Sequence, residues 1–226
     1  MLLLAADTSG KFGSIALARC ETNDACNVLE VALLEGGTFS AQFIPQAAAL
    51  LQKNGYALKD LGGFAVVSGP GSFTGLRIGL AAIKALAEIT QKPIAAVSLL
   101  EAVAIAARTK GMVRALLDAG RGDVYVGAYE FDEILDTLPS KIIERLCTRA
   151  EFVTEASGII ATPDKSVADF LRTSNIAVQE IPSLRADTIA KIGWEKIQAG
   201  NLSWPDDLDA NYIRRTDAEI MAKINS

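Results

Sequence analysis

The chain of 226 residues contains no histidine. Histidine is the usual base of nucleophilic triads, a common acid or base near neutral pH, and a frequent ligand of zinc. Its absence excludes histidine triads, HExxH zinc sites and histidine acid–base catalysis. We therefore expect no histidine-based active site and no metal or cofactor held by histidine.

Cysteine is scarce as well, and Cys20, Cys26 and Cys147 form no CxxC pair. Such an odd count is typical of reduced thiols in a cytosol. The opening MLLLAAD lacks the basic start and long apolar core of a signal peptide. The most apolar stretch, 78–107, contains charged residues and Pro93, so we do not expect it to span a bilayer. These features predict a cytoplasmic protein without membrane association.

A surplus of positive charge is also missing. The chain has 22 lysines and arginines against 27 aspartates and glutamates, which gives a net charge of −5. A protein that grips nucleic acid by itself needs a basic face to neutralise phosphates. The composition therefore argues against a dominant role in holding tRNA or DNA, although it leaves a local basic patch open.

The pattern of apolar runs and turn residues predicts an α/β fold. Three strands at 2–6, 14–18 and 28–34 form a meander and precede a helix at 41–54. Further strands are predicted at 63–67, 94–97, 113–117, 124–129, 158–161 and 177–181, and further helices at 73–91, 98–110, 166–173 and 186–199. Residues 132–157 have the least regular pattern.

The opening of the chain is repeated after Gly111. LLLAADTSGKFGSIALA at 2–18 and VRALLDAGRGDVYVGAY at 113–129 are both an apolar strand, an acidic residue, a glycine-containing loop and a returning strand. This similarity predicts two duplicated lobes, 1–110 and 111–226, with Asp7 and Asp118 at equivalent hairpin turns. Chance similarity between two hairpins is the alternative.

The stretch Asp7-Thr8-Ser9-Gly10 allows two interpretations. Its hydroxyls and backbone N–H groups could bind a phosphate, with Asp7 and Asp118 facing each other across a nucleotide cleft that holds a magnesium ion. Alternatively, these side chains cap their own backbone in a hairpin turn. The glycine-rich loop at 69–75 fits neither the Walker A loop nor the dinucleotide fingerprint, and a tight turn before a helix is its simpler explanation.

The first helix has unusually little charge, and in the second the charges Arg77, Lys84 and Glu88 gather on one narrow face. The first carries only Lys53, and it has apolar residues on two sides. In the second, Gly71, Gly75 and Gly79 lie four apart, so that another backbone could approach one face closely. Burial in the chain's own core and packing against a partner's helices both explain this pattern.

Several of these motifs resemble those of the bacterial TsaB (YeaZ) family: SGPGSFTGLRIGL at 68–80, IPQAAALL at 44–51, LLDAGRGDVYVGAY at 116–129 and NYIR at 211–214. The resemblance runs along the whole chain. It implies an actin-like, ribonuclease H-like α/β fold of two duplicated lobes with mixed sheets. It also implies a non-catalytic partner of the paralogue TsaD, in the machinery that attaches threonylcarbamoyl to the tRNA adenosine beside the anticodon. The ATPase TsaE and an enzyme that makes threonylcarbamoyl-AMP complete that machinery, and tRNA is contacted only through the complex.

The resemblance assigns the first two helices to the surface that pairs with the TsaD homologue, and it allows a homodimer when the chain is alone. A Gly79→Arg variant is then expected to stay folded and to lose its partner. The residues expected to bind the partner are Phe43, Ile44, Ala47, Ala48, Leu51, Gly71, Phe73, Thr74, Gly75, Leu76, Ile78, Gly79, Leu80 and Ile83.

The resemblance also accounts for the missing histidines. In the catalytic paralogue an HxxxH metal pair follows the strand after the long helix, and this chain has Leu99 and Val103 at those positions. Near the first helix, where the family often has a histidine, this chain has Phe39.

Two other functions remain open: a small actin-like ATPase or sugar kinase, and a peptidase, as the family's older glycoprotease label implies.

Overall fold

The first half of the chain is a three-stranded meander followed by alternating helices and strands. In the computed structural model, residues 1–21, 24–132 and 138–213 are described. The elements of this half are β1 (Leu2–Asp7), β2 (Gly13–Glu21), β3 (Asp24–Leu34), α1 (Phe39–Lys53), β4 (Leu61–Gly69), α2 (Phe73–Thr90), β5 (Ile94–Ser98) and α3 (Leu99–Ala106).

The second half repeats this order of strands and helices. Its elements are β6 (Gly111–Gly120), β7 (Asp123–Phe131), β8 (Ser140–Thr148), α4 (Arg149–Glu155), β9 (Ile159–Thr162), α5 (Lys165–Thr173), β10 (Gln179–Glu180) and α6 (Ala186–Gln198). Both β8 and α4 lie within the stretch for which the sequence pattern gave no assignment, and β10 is shorter than predicted.

The two sheets have the same strand order. The first is β3-β2-β1-β4-β5, and the second, taken in the matching direction, is β8-β7-β6-β9-β10. In each half the three strands that come first along the chain pair antiparallel to one another. The fourth strand pairs in parallel with the first of them: β4 with β1, and β9 with β6. Asp7 lies at the end of β1 opposite Ser14, and Asp118 lies near the end of β6 opposite Val124. The predicted duplication and its equivalent hairpins are confirmed.

The last helix of each half packs on the sheet of the other half. Helix α3 lies against β6 and β7, whereas α6 lies against β1, β2 and β5. Ala5, Ala65 and Ala95 are in register on neighbouring strands, and Gly193 of α6 faces Ala65. Small residues on both sides therefore let α6 approach the sheet closely. The sheets divide near residue 110, but α6 packs across that boundary, so the predicted division of lobes stays a prediction.

The cysteines differ from expectation. Cys20 and Cys26 lie on the neighbouring strands β2 and β3 and form a disulfide, so the prediction of reduced thiols is wrong for these two residues. Cys147 is free and buried. The count and spacing of the cysteines could not show this pairing, which depends on the β2–β3 register. Within the described ranges, no helix has the length and hydropathy that a membrane crossing needs.

The glycine face of α2 packs against the chain's own first hairpin. A Cβ atom on Gly71 would lie 2.6 Å from the carbonyl oxygen of Ser9, and Cβ atoms on Gly75 and Gly79 would overlap Thr8. Thr8 also donates a hydrogen bond of 2.7 Å from its hydroxyl to the Gly75 carbonyl oxygen. At Gly75 and Gly79 the expectation that this face receives a partner helix is wrong, because Thr8 already fills it. Gly71, which precedes the helix, contacts Ser9 but remains exposed.

We expect Gly75→Ala to destabilise the isolated chain, because its methyl group would push α2 away from Thr8. Overpacking of this kind removes about 1–3 kcal/mol of stability, or roughly 2–12 °C in Tm for a chain of this size. Thermal unfolding measures the change, and Thr74→Ala, at an exposed position beside it, is the control. An unchanged Tm would mean that the face is open. By the same reasoning, Gly79→Arg should unfold the chain rather than release a partner.

Candidate partner interface

The outward face of α1 is exposed and almost free of charge. Most of its side chains are small or apolar, glutamines are its larger polar residues, and Ile44 is 47% exposed. The charge on α1 is Lys53, in its last turn, which forms an ion pair of 2.5 Å with Glu30 of β3. The exposed residues along this face are Ser40, Ala41, Ile44, Pro45, Ala48, Ala49 and Gln52.

Helix α2 lies beside α1 and continues this apolar surface. Phe73 begins the helix and is 39% exposed, and Ile89 in the last turn is 72% exposed. Ile78 is half-buried, while Ala81 and Ala85 are exposed. Ser72 caps the helix, since its hydroxyl accepts a hydrogen bond from the Gly75 N–H.

An apolar cavity of about 220 Å³ opens between the two helices. Leu4 of β1 lies among its lining residues, and Leu86 contributes from α2. Ile44 and Ala48 also line it, so the cavity reaches the outward face of α1. A space of this size and polarity fits one apolar side chain from another molecule.

The structure places only part of the predicted partner-binding set on the surface. Six of its residues are exposed or half-buried: Ile44, Ala48, Gly71, Phe73, Thr74 and Ile78. The other eight are buried in the chain's own core, and their assignment to the surface is wrong: Phe43, Ala47, Leu51, Gly75, Leu76, Gly79, Leu80 and Ile83. The six larger or alanine side chains pack between the helices and the first sheet, because α1 and α2 each need one apolar side to cover that sheet. Gly75 and Gly79 lie against Thr8 in the hairpin turn.

The sequence analysis missed one aromatic contact at this surface. Tyr212, from the segment after α6, packs on Phe73 with ring centroids 5.2 Å apart. The guanidinium of Arg77 lies 3.7 Å from the centre of the Phe73 ring, and its Nε donates a hydrogen bond of 2.9 Å to the Tyr212 hydroxyl. The only sequence signal was the motif NYIR, whose last residue, Arg214, lies outside the described residues.

The proposed nucleotide-binding turn is occupied by its own hydrogen bonds. Asp7, Thr8 and Ser9 are all buried. Asp7 Oδ1 accepts hydrogen bonds of 2.9 Å from the Ser9 N–H and 2.6 Å from the Ser9 hydroxyl. Burial raises the pKa of Asp7 above its ordinary value, although both hydrogen bonds from Ser9 act to lower it. This arrangement is that of a self-capped hairpin turn.

Asp118, at the equivalent turn of the second half, is in a different environment. It forms an ion pair of 3.2 Å with Arg149, and its Oδ2 accepts a hydrogen bond of 3.0 Å from the Ser166 hydroxyl. Burial acts to raise the pKa of Asp118, but hydrogen bonds from Gly120 and Ser166 and the charge of Arg149 outweigh it, so the pKa is lowered. The Arg149 guanidinium therefore supplies positive charge at Asp118.

Leu99 and Val103, the positions that the resemblance matched to a metal pair of the paralogue, both carry apolar side chains. Leu99 and Val103 lie on α3, where Val103 is fully buried and both side chains pack with apolar neighbours. No group of three or more histidines, cysteines, aspartates or glutamates suited to a metal occurs in the described ranges. A cavity of about 560 Å³ beside the first hairpin is lined by Gly10, Lys11 and Phe12 rather than by Asp7 to Ser9.

Two mixed sheets of the same order, with exchanged helices between them, define a ribonuclease H-like, actin-like fold. Two crystal structures from Pseudomonas aeruginosa share it: a protein with similarity to peptidase YEAZ, and YeaZ. Their TM-scores are 0.75 and 0.73, each at 22% identity; 94% and 93% of this chain are aligned, and 99% of each structure.

Sequence comparison identifies the family. The model of the TsaD family, described as tRNA N6-adenosine threonylcarbamoyltransferase, matches residues 37–163. The tRNA threonylcarbamoyladenosine biosynthesis protein TsaB of Bacillus subtilis is 38% identical over 132 residues, which cover 58% of this chain and 56% of the relative. TsaB of Escherichia coli is 36% identical over 131 residues, covering 52% and 55%. The chain belongs to the TsaB (YeaZ) family, and its matched part spans about half the length of these two relatives.

The two aspartates should respond oppositely to neutralisation. Asp7→Asn keeps an acceptor for Ser9 and removes a buried charge, so we expect higher stability than wild type at pH 7. Because the folded-state pKa of Asp7 is raised, the stability of the variant relative to wild type should increase as the pH rises above about 4, the ordinary pKa of an aspartate. Asp118→Asn removes a favourable charge, so we expect lower stability at pH 7 and no difference at strongly acidic pH.

Chemical denaturation of both variants across pH 3–8 measures these differences, and each variant serves as the control for the other. A loss of stability in Asp7→Asn at pH 7 would mean that an ionised Asp7 is needed, as in a magnesium site. The self-capped turn would then be the wrong interpretation.

Proposed function

We propose that this chain is a non-catalytic subunit that pairs with a TsaD-type paralogue in the biosynthesis of threonylcarbamoyladenosine in tRNA. The observation that supports this most is the outward face of α1, which has almost no charge. Helix α2 continues it with Phe73, Ile78 and Ala81, although the charged Arg77 and Glu88 are also exposed on that helix. A surface helix usually presents charged residues to water, whereas α1 presents mainly alanines, a proline, Ile44 and uncharged polar side chains, with one charge at its end. An apolar patch next to an apolar cavity is typical of a protein–protein interface.

The surface residues proposed for this pairing are Ile44, Ala48, Gly71, Phe73, Thr74 and Ile78. Small residues along α1 let a facing helix approach, and the cavity beside Ile44 offers a place for one larger partner side chain. The buried residues of the predicted partner-binding set pack under these positions and hold the two helices on the first sheet. The same face would serve for a homodimer in the absence of the partner.

Partners beyond the TsaD-type subunit follow from the family alone. A TsaE-type ATPase is proposed as a further member of the complex, without a contact residue on this chain. The net charge of −5 favours tRNA binding by the assembled complex rather than by this subunit.

An actin-like ATPase or kinase is the alternative function. It needs phosphate and magnesium at Asp7 and Asp118, but Asp7 bonds to Ser9 and Asp118 pairs with Arg149. A peptidase would need a nucleophile with a base or a metal, and the chain has no histidine to serve either role. The geometry of the first hairpin therefore favours a subunit without its own active site.

Ile44→Asp should abolish or strongly weaken binding to the TsaD homologue of the same genome, while the chain stays folded. Fully burying an isoleucine contributes about 1.5–3 kcal/mol, and Ile44 is already about half buried. Loss of its remaining burial alone therefore weakens binding by roughly 3- to 13-fold, and the cost of burying a carboxylate adds to this. Calorimetric titration of the purified proteins measures the affinity. The matched control is Ile142→Asp, since Ile142 is 53% exposed and lies on β8, an edge strand of the second sheet, whereas α1 packs on the first sheet.

Equal affinities for Ile44→Asp and wild type would contradict the proposed surface. Loss of binding in both variants would point to a general effect of added charge, which also counts against it. Modified adenosine in the tRNA of cells that depend on each variant gives the second measurement, and it should fall only for Ile44→Asp.

A non-catalytic role predicts that the cleft aspartates are dispensable for tRNA modification. A double variant, Asp7→Asn with Asp118→Asn, should support the formation of threonylcarbamoyladenosine in a reconstituted complex at no less than about half the wild-type rate. A loss of more than tenfold, in a variant that still binds the TsaD homologue, would favour the ATPase alternative.

A further inference from the structure

Glu144 of β8 collects hydrogen bonds from three separate parts of the chain. Its Oε1 accepts a hydrogen bond of 2.5 Å from the Ser98 hydroxyl, at the start of α3, and another from the hydroxyl of Tyr129 on β7. Its Oε2 accepts a hydrogen bond of 2.5 Å from the side-chain amide of Asn211. Burial, and after it the charge of Glu144, raise the pKa of Tyr129, so the phenol stays protonated and donates to this carboxylate.

Asn211 joins this cluster to the first sheet. Its backbone N–H donates a hydrogen bond of 2.7 Å to the Ser68 carbonyl oxygen at the end of β4. A Cβ atom on Gly69 would lie 2.8 Å from the Asn211 carbonyl oxygen, and Gly69 has a φ of +132°. Only glycine readily adopts that backbone conformation, and it also leaves room for Asn211. The segment is therefore bonded to both sheets at one residue.

The next residue, Tyr212, reaches the candidate partner surface. It is 41% exposed and forms a stack with Phe73 and Arg77 in the first turns of α2. Tyrosine and arginine are enriched at the residues that carry most binding energy in protein interfaces. The stack adjoins Thr74 and the apolar face of α2, and so continues the surface proposed above.

We propose that Tyr212 is a contact residue for the TsaD-type partner, and that Glu144 is a positioning residue that holds it there through Asn211. This inference rests on the proposed function for the identity of the partner. The hydrogen bonds involve a carboxylate, and bonds to charged groups are about twice as strong as neutral ones. Removal of the Asn211 side chain should therefore release the segment while the two sheets keep their cores.

The first test needs no partner. Hydrogen exchange of the isolated chain should become about 10- to 100-fold faster in the peptide covering 209–213 for Asn211→Ala, as expected for the loss of one charge-assisted hydrogen bond. Asn201→Ala, an exposed asparagine earlier in the same segment, is the control and should leave that exchange unchanged. Unchanged exchange in Asn211→Ala would overturn the role of Glu144.

The second test measures affinity for the TsaD homologue by calorimetric titration. We expect Asn211→Ala and Tyr212→Ala each to weaken binding at least about tenfold. Asn201→Ala should bind like wild type, and Tyr212→Phe, which keeps the ring on Phe73, should lose much less than Tyr212→Ala. If Asn211→Ala lowers Tm sharply, the affinity of Tyr212→Ala decides whether Tyr212 contacts the partner, because this variant leaves the hydrogen bond between Asn211 and Glu144 in place.

The outcomes separate this inference from the proposed function. Failure of the wild-type chain to bind the homologue would overturn the proposed function and the contact role of Tyr212 together, while hydrogen exchange still decides the role of Glu144. If wild type binds and Ile44→Asp does not, but Asn211→Ala and Tyr212→Ala bind normally, the proposed function stands and the present inference is wrong.

Discussion

The close contact between α2 and the first hairpin is the constraint on which the rest of the first lobe depends. Gly75 and Gly79 bring the helix backbone against Thr8, and Gly71, just before the helix, lies against Ser9. Within the same turn, Asp7 accepts hydrogen bonds from Ser9, so these polar groups are bonded to one another. The contact with the hairpin also fixes the rotation of α2, so that Leu76 and Leu80 cover the sheet while Phe73 and Ala81 face outward. The same contact thus directs the exposed apolar side chains of α2 to the surface beside α1.

The exchange of α3 and α6 extends this constraint to the whole molecule. Each helix is buried against the sheet of the other half, and Lys196 of α6 pairs with Glu101 of α3 at 2.9 Å. Bonds from Asn211 to Ser68 and Glu144 join the two sheets again. These contacts join the two sheets at several separate points. They agree with the proposed role of a subunit that presents a surface to a partner.

Periodicity and turn residues were sufficient to predict most of the elements and the duplication. Long helices and buried strands carry strong patterns, and the two hairpins repeat visibly around Asp7 and Asp118. The glycine spacing on α2 predicted a close approach correctly but could not identify its partner, because Thr8 lies more than sixty positions earlier in the chain. Helix α4 was missed, although Thr148 and Glu151 form a capping box at its start. The contact of Tyr212 with Phe73 depends on the path of the chain after α6, which no local pattern encodes.

The central claim is that the outward face of α1 and α2 is where this chain acts. Hydrogen exchange of the wild-type chain, measured alone and with an excess of its TsaD homologue, tests it most directly. The account predicts slower exchange over residues 40–52 and 73–81 in the complex, with no change around Asp118 and Arg149. Protection confined to the Asp118 side, or no protection of α1, would contradict it.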